Sequence, residues 1–140
     1  MNVSENGYEL IRKYEGCRLK AYKCPSGKWT IGYGHTKGVN SRMYISKEVA
    51  NYFLVVDVQA IEPTLQKWDS IYHWTQNEFD ALASFTFNCG VGNFKQLIAN
   101  GKRSKDVIAS KMLLYNKSNG KTLNGLVKRR KEEYKLFTKK

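Results

Sequence analysis

Between Arg18 and Gly34 the hydrophobic period of the chain changes, and this change limits what it can fold into. Leu19, Ala21, Trp29, Ile31 and Tyr33 recur with period two, the pattern of strands with one covered face. Pro25, Ser26 and Gly27 interrupt them where a turn is needed. The segment reads as a short antiparallel hairpin. Gly32, Gly34 and Gly38 mark backbone that bends or comes close to another surface. A third short strand is expected near Val39–Tyr44.

The flanking segments have helical period. Ser4 is placed to cap a first helix whose apolar stripe is Leu10, Ile11 and Tyr14. Gly7 weakens that helix, and Gly16 stops it. A helix is expected over 47–60, with Val49, Tyr52, Phe53 and Val56 on its buried face. Pro63 breaks it or opens another helix toward Trp68. Thr75 and Glu78 have the spacing of a capping box. Phe79, Leu82, Ala83 and Phe85 then describe the most apolar helix, which is expected to be the centre of the core. A loop over 88–93 is expected to end this helix, with Cys89 buried at the helix end. A short helix follows over 94–99, closed by Gly101. Another runs over 105–115, with Val107, Ile108, Met112 and Leu113 inward. Residues 116–125 read as polar loop. A last helix over 126–137 is expected to bury Leu126, Val127, Tyr134 and Phe137. The pattern is α+β, mostly helical with a small N-terminal antiparallel sheet.

With 140 residues and an apolar fraction of 41%, the chain suits one domain with a real core. Its net charge of +12 calls for an anionic partner. Nucleic acid, an anionic membrane and an acidic polymer such as a bacterial cell wall all meet that requirement. No helix-turn-helix or other nucleic-acid signature is present. The N-terminus lacks the apolar stretch of a signal peptide, and no segment is apolar enough to span a bilayer. A soluble cytosolic product is expected. Three cysteines, Cys17, Cys24 and Cys89, match no zinc spacing, and free thiols are expected. No metal or cofactor is implied.

The residues suited to chemistry lie in one stretch, EGCRLKAYKCPSGKWTIGYGHT, residues 15–36. The other acidic residues read as caps and surface groups. Glu15 falls at a helix C-terminus, where the dipole disfavours negative charge, a setting that suits a general acid. Glycoside hydrolysis pairs such an acid with a second group that holds water, activates it or attacks the sugar. No Asp or Glu occurs between Glu15 and Glu48. The candidates for that role are Cys24, as thiol or thiolate, and the hydroxyl of Thr30. Each has an ordinary reading too: Glu15 a helix-end ion-pair residue, Cys24 an apolar filler, Thr30 a strand residue. His35 reads as a structural ring that pins the sheet, ahead of a base. His73 reads as superficial. Trp29, Trp68 and Trp74 read as core or cleft wall.

Three stretches resemble the phage-type lysozymes, the endolysin family that includes the lysozyme of the T-even phages. They are LIRKYEGCRLKAYKCPSGKWTIGYGHTKGV (10–39), FDALASFTFNCGVGNF (79–94) and GLVKRRKEEYKLF (125–137). The chain looks most like the small endolysins of lambdoid and P1-like phages. The resemblance implies a lysozyme-like single catalytic domain over 1–140. A small sheet lobe at about 16–45 and a helical lobe at about 60–140, packed with helix 4–14, would flank a cleft. It implies cleavage of the β-1,4 bond between N-acetylmuramic acid and N-acetylglucosamine in peptidoglycan, for host cell lysis. Glu15 matches the family's general acid and Thr30 its threonine. Cys24 stands where an aspartate is usual, a recurring variant. His35 matches a histidine thought to be structural, and Arg129 and Arg130 match a pair that fixes the last helix. The resemblance further implies a monomer acting on peptidoglycan, with no nucleic acid and no stable membrane insertion. Such enzymes accumulate in the host cytoplasm until a holin opens the membrane, then act on the wall. Some relatives carry a signal-arrest-release segment, which this chain is expected to lack. A lytic transglycosylase giving 1,6-anhydro ends, or a non-enzymatic cationic wall-binding protein, is the competing reading.

Overall fold

Helix α4 (Gln76–Cys89) is the axis of the computed structural model, which describes residues 1–140. Its start is fixed locally: Glu78 N–H donates to Thr75 Oγ1, and Thr75 N–H donates back to Glu78 Oε1 at 2.8 Å. Phe79, Ala81, Leu82, Ala83 and Phe85 are fully buried along it. Around it pack α1 (Glu5–Glu15), α2 (Lys47–Lys67), α5 (Val91–Ile98) and α7 (Asn124–Thr138). The short α3 (Asp69–Tyr72) and α6 (Lys105–Met112) complete the helical lobe. Leu54, Leu65, Phe94, Leu97, Ile98, Ile108 and Met112 join α4 in one core. Burying each such side chain contributes about 1.5–3 kcal/mol.

The small lobe is a hairpin of β1 (Arg18–Lys23) and β2 (Trp29–Gly32), antiparallel, with an irregularity between Arg18 and Tyr22. The expected third strand is only a short pairing. Ala21 N–H donates to Met43 O, Ile45 N–H donates to Leu19 O, and Lys20 bridges Tyr44. Residues 116–125 are not plain loop, because β3 (Lys117–Ser118) and β4 (Lys121–Thr122) form a second small hairpin. The expected 88–93 loop shrinks to Gly90 alone, between α4 and α5. Cys89, expected buried, is half-buried at the end of α4.

Two helix faces differ from expectation. Helix α2 runs through Pro63 to Lys67. Pro63 has no N–H to give to Gln59, but anchors hold the helix on both sides of it. Glu62 Oε2 accepts from Val3 N–H at 2.8 Å, and Leu65 is fully buried. The buried stripe of α2 is Ala50, Leu54, Val58, Glu62 and Leu65. Val49, Tyr52 and Val56 are 38, 65 and 41% exposed, and Phe53 is half-buried. Tertiary fit decides this: Gly32 of β2 rests on Ala50, where a larger residue would hold the sheet away. On α6, Val107 is exposed and Ile108, Ala109 and Met112 are buried. On α7, only Phe137 of the four expected apolar residues is buried. Arg129, Arg130 and Glu133 take the remaining inward positions.

Helix α1 is joined to the core by polar contacts that the sequence hid. Ser4 makes no side-chain cap; its hydroxyl and N–H both donate to the buried carboxylate of Asp80. Gly7 faces the same point. A Cβ there would lie 2.6 Å from Val3 Cγ1 and 3.0 Å from Asp80 Oδ1. Gly7→Ala should therefore cost about 1–3 kcal/mol despite its better helix propensity. Denaturant unfolding checks this, and a stabilised variant would mean that the N-terminal segment yields freely.

Candidate active site

Glu15 is the last residue of α1. The chain turns away at Gly16 (φ 66°), whose N–H closes on Arg12 O. One carboxylate oxygen, Oε2, accepts from Arg129 Nη1 at 2.6 Å. The other, Oε1, has no protein hydrogen-bond partner and faces Gly34, where a Cβ would lie 3.2 Å from it. Gly34 (φ 82°) sits in a tight turn in which Ile31 and His35 exchange both backbone bonds at 2.9 Å. Glycine at 34 thus meets a backbone need and leaves room beside the acid.

Arg129, which the resemblance assigned to fixing the last helix, reaches this site. It is 3% exposed, and each of its nitrogens is engaged. Nε donates to Glu133 Oε2 at 3.2 Å and Ser84 Oγ at 3.3 Å, and Nη2 to Ser84 O at 3.1 Å. The arginine is held by α4 and α7 and turns its remaining donor toward Glu15. No spacing signal links two residues 114 positions apart.

The His35 ring is buried and pinned to α2. Nδ1 shares a 2.8 Å hydrogen bond with Asp57 Oδ2, and the ring stacks on Phe53 with centroids 4.3 Å apart. Gly34, Thr36, Lys37, Asp57, Ile61 and Phe87 line a cleft pocket of about 220 Å³ beside this turn. A larger hollow of about 680 Å³ lies elsewhere, along α7, and Glu15 does not line it.

Cys24 and Thr30 form a second group, joined to the first through β2. Cys24 Sγ lies 2.9 Å from Ser26 Oγ. Thr30 is buried and its hydroxyl donates to Lys28 O at 3.1 Å. The Ser26 hydroxyl is the largest influence on the Cys24 thiol, which is lowered to about 7. A substantial thiolate fraction at neutral pH follows. Ser26, which the sequence showed only as a turn residue, is thus a functional candidate.

The family profile described as Phage lysozyme matches residues 12–133. The chain belongs to the phage lysozyme family. It is 38% identical to the endolysin of Acyrthosiphon pisum secondary endosymbiont phage 1, covering 98% of both chains. It is 43% identical to the endolysin of Bacillus phage B103, covering 98% of this chain but 54% of that one. Among solved structures it superposes on the muramidase domain of SpmX from Asticaccaulis excentricus with a TM-score of 0.86 and 34% identity, covering 99% of both. A mutant of P22 lysozyme gives a TM-score of 0.79 at 34% identity, again with 99% of both chains covered. The lysozyme-like α+β fold expected from the sequence is the fold observed.

For this phage lysozyme family member, the thiol environment has a measurable consequence. Alkylation of Cys24 should rise with pH to half its maximum near about 7, since only the thiolate reacts. Ser26→Ala should move that midpoint upward, because the strongest thiolate donor is gone. Cys17 is exposed, contrary to what a clean labelling experiment needs, so the titration uses a Cys17→Ser background. A midpoint unchanged by Ser26→Ala would remove Ser26 from the site.

Proposed function

We propose that the chain is a phage endolysin, a muramidase that hydrolyses the β-1,4 bond between N-acetylmuramic acid and N-acetylglucosamine. Glu15 is the general acid and passes its proton to the glycosidic oxygen. The supporting observation is the division of labour between its oxygens: Arg129 holds Oε2, and Oε1 is free above Gly34. Cys24 and Thr30 hold or activate the attacking water, with the thiolate as base at neutral pH. His35 positions the turn and does not touch substrate. Residues 1–140 act as one catalytic domain, monomeric, with peptidoglycan as partner and no nucleic acid. No helix is long and apolar enough to cross a membrane. Release by a holin, as the family resemblance implies, is part of this proposal, and lysis timing in cells with and without one would check it.

A transglycosylase is the second reading, favoured by one observation. Asp57, the carboxylate that lines the cleft pocket, commits Oδ2 to His35, and a thiol, Cys24, stands where the resemblance leads one to expect an aspartate to handle water. Mass analysis of the products from purified peptidoglycan separates the readings. Reducing sugar ends support hydrolysis, and 1,6-anhydro ends overturn it. Substitution at Cys24 tests the water-handling role on the same substrate. Cys24→Asp should keep substantial activity, Cys24→Ser less, and Cys24→Ala should lose much of it. Full activity in Cys24→Ala would leave Glu15 and Thr30 as the working pair.

A further inference from the structure

The outward face of α7 carries a row of lysines with no assigned role. Lys128, Lys131, Lys135 and Lys139 are all exposed and follow one another at helical spacing. None of them takes part in an ion pair. At 1.5 Å per residue the row is about 16 Å long, with a charge every 5–6 Å or so. The one acidic side chain at its edge, Glu132, is neutralised by Lys13 and also accepts from Tyr14 at 2.5 Å. Glu9 lines the neighbouring groove, on the α1 side, together with Lys13, Glu132 and Leu136. Lys135 and Lys139 also line the 680 Å³ hollow, together with Glu132 and Leu136.

The two arginines of α7 serve a different purpose. Both are buried and bind carboxylates inside the protein, the geometry for which a guanidinium fork is suited. Only lysines face outward. A lysine is a point charge without directional demand, so the row can meet the charges of a mobile anionic chain one at a time. No exposed aromatic side chain lies on the row, so the stacking platform of a single-stranded nucleic-acid site is missing.

We propose that this row is a docking strip for a linear polyol-phosphate polymer of the bacterial wall. The phosphates lie along the four lysines, and the polyol carbons rest over Leu136 in the hollow. The strip holds the enzyme at the wall while the cleft, on another face, meets the glycan. The inference rests on the muramidase reading only in taking the wall as the target.

The test compares two fourfold variants of equal net charge. One is Lys128→Gln/Lys131→Gln/Lys135→Gln/Lys139→Gln. The other is Lys47→Gln/Lys67→Gln/Lys95→Gln/Lys111→Gln, four exposed lysines scattered over other helices and absent from the ion pairs. Binding to purified poly(glycerol phosphate) is measured against salt, with folding followed by circular dichroism. The strip variant should lose about tenfold or more in affinity, and its salt slope should fall by about 3, at roughly 0.7 per neutralised phosphate. The scattered variant should bind as wild type does. Equal losses in both variants would mean diffuse attraction and overturn the strip, as would unchanged binding in the strip variant. Tighter, strip-dependent binding to phosphatidylglycerol vesicles than to the polymer would reassign the row to a lipid surface. Cleavage of peptidoglycan stripped of phosphate polymer is followed separately. Its absence in wild type would sink the muramidase reading without changing the binding result.

Discussion

Glu15→Gln should fold, bind cell walls and lose about 10²- to 10⁴-fold in bond cleavage, the range a general acid contributes. The amide keeps the shape of the side chain and can still accept from Arg129 Nη1. Its NH2 then stands where Oε1 stood above Gly34 and cannot transfer a proton to the glycosidic oxygen. Arg129 keeps its bonds to Ser84 and Glu133, so the surrounding packing should survive. Initial rates on labelled walls, with unfolding measured alongside, separate lost chemistry from lost fold. Near-normal turnover in the variant would take Glu15 out of the mechanism and leave the cationic wall-binding reading in its place.

What the sequence disclosed followed the range of the interaction. The α4 capping box and its apolar run were legible because Thr75 and Glu78 are three residues apart and Phe79, Leu82, Ala83 and Phe85 follow within one short run. The end of α1 was legible because Gly16 ends it within its own last turn. The second hairpin had a local signal as well. Asn119–Gly120 is a strong turn pair, and both residues take positive φ, 51° and 77°. Strands of two residues gave no period by which to recognise it.

Long-range contacts were not legible. Helix α2 carries apolar residues on two faces, so periodicity could not tell Val49, Tyr52 and Val56 from Ala50, Leu54 and Val58. The close approach of Gly32 to Ala50 chose between them. Glu62, Asp80 and Glu133 read as surface acids, yet all three are buried. Their partners are backbone N–H groups of the N-terminus, the Ser4 and Ser84 hydroxyls, and the two arginines that the resemblance assigned to fixing the last helix. The candidate site shows the same division. Glu15, Gly34 and His35 stood out within one stretch, whereas Arg129 and Ser26 acquired meaning only from the contacts they make.

The buried charges of α7 should carry the largest stability effect in the protein. Glu133 is fully buried; its Oε2 accepts from Ser84 Oγ at 2.6 Å, Arg130 Nη2 at 3.1 Å and Arg129 Nε at 3.2 Å. Its Oε1 lies 2.7 Å from Arg130 Nε, close but poorly aligned for a hydrogen bond. Burial pushes the Glu133 carboxyl up, and Arg130 and Arg129 oppose that push. Glu133→Gln keeps the volume and removes the charge, leaving two buried guanidinium groups with Glu15 as their remaining carboxylate. The expected cost is about 3–5 kcal/mol, because a buried charge without its partner cannot recover its hydration. Cleavage should fall as well at temperatures where the variant is folded, since Arg129 then holds Glu15 from a looser support. The double variant Arg130→Met/Glu133→Leu should regain part of the stability lost in Glu133→Leu alone, because the unpaired cation leaves with its partner. Denaturant unfolding of the four proteins measures both effects. A loss below about 1 kcal/mol in Glu133→Gln would show that apolar packing around Phe137, and not this charge cluster, fixes α7 and the arginine that reaches Glu15.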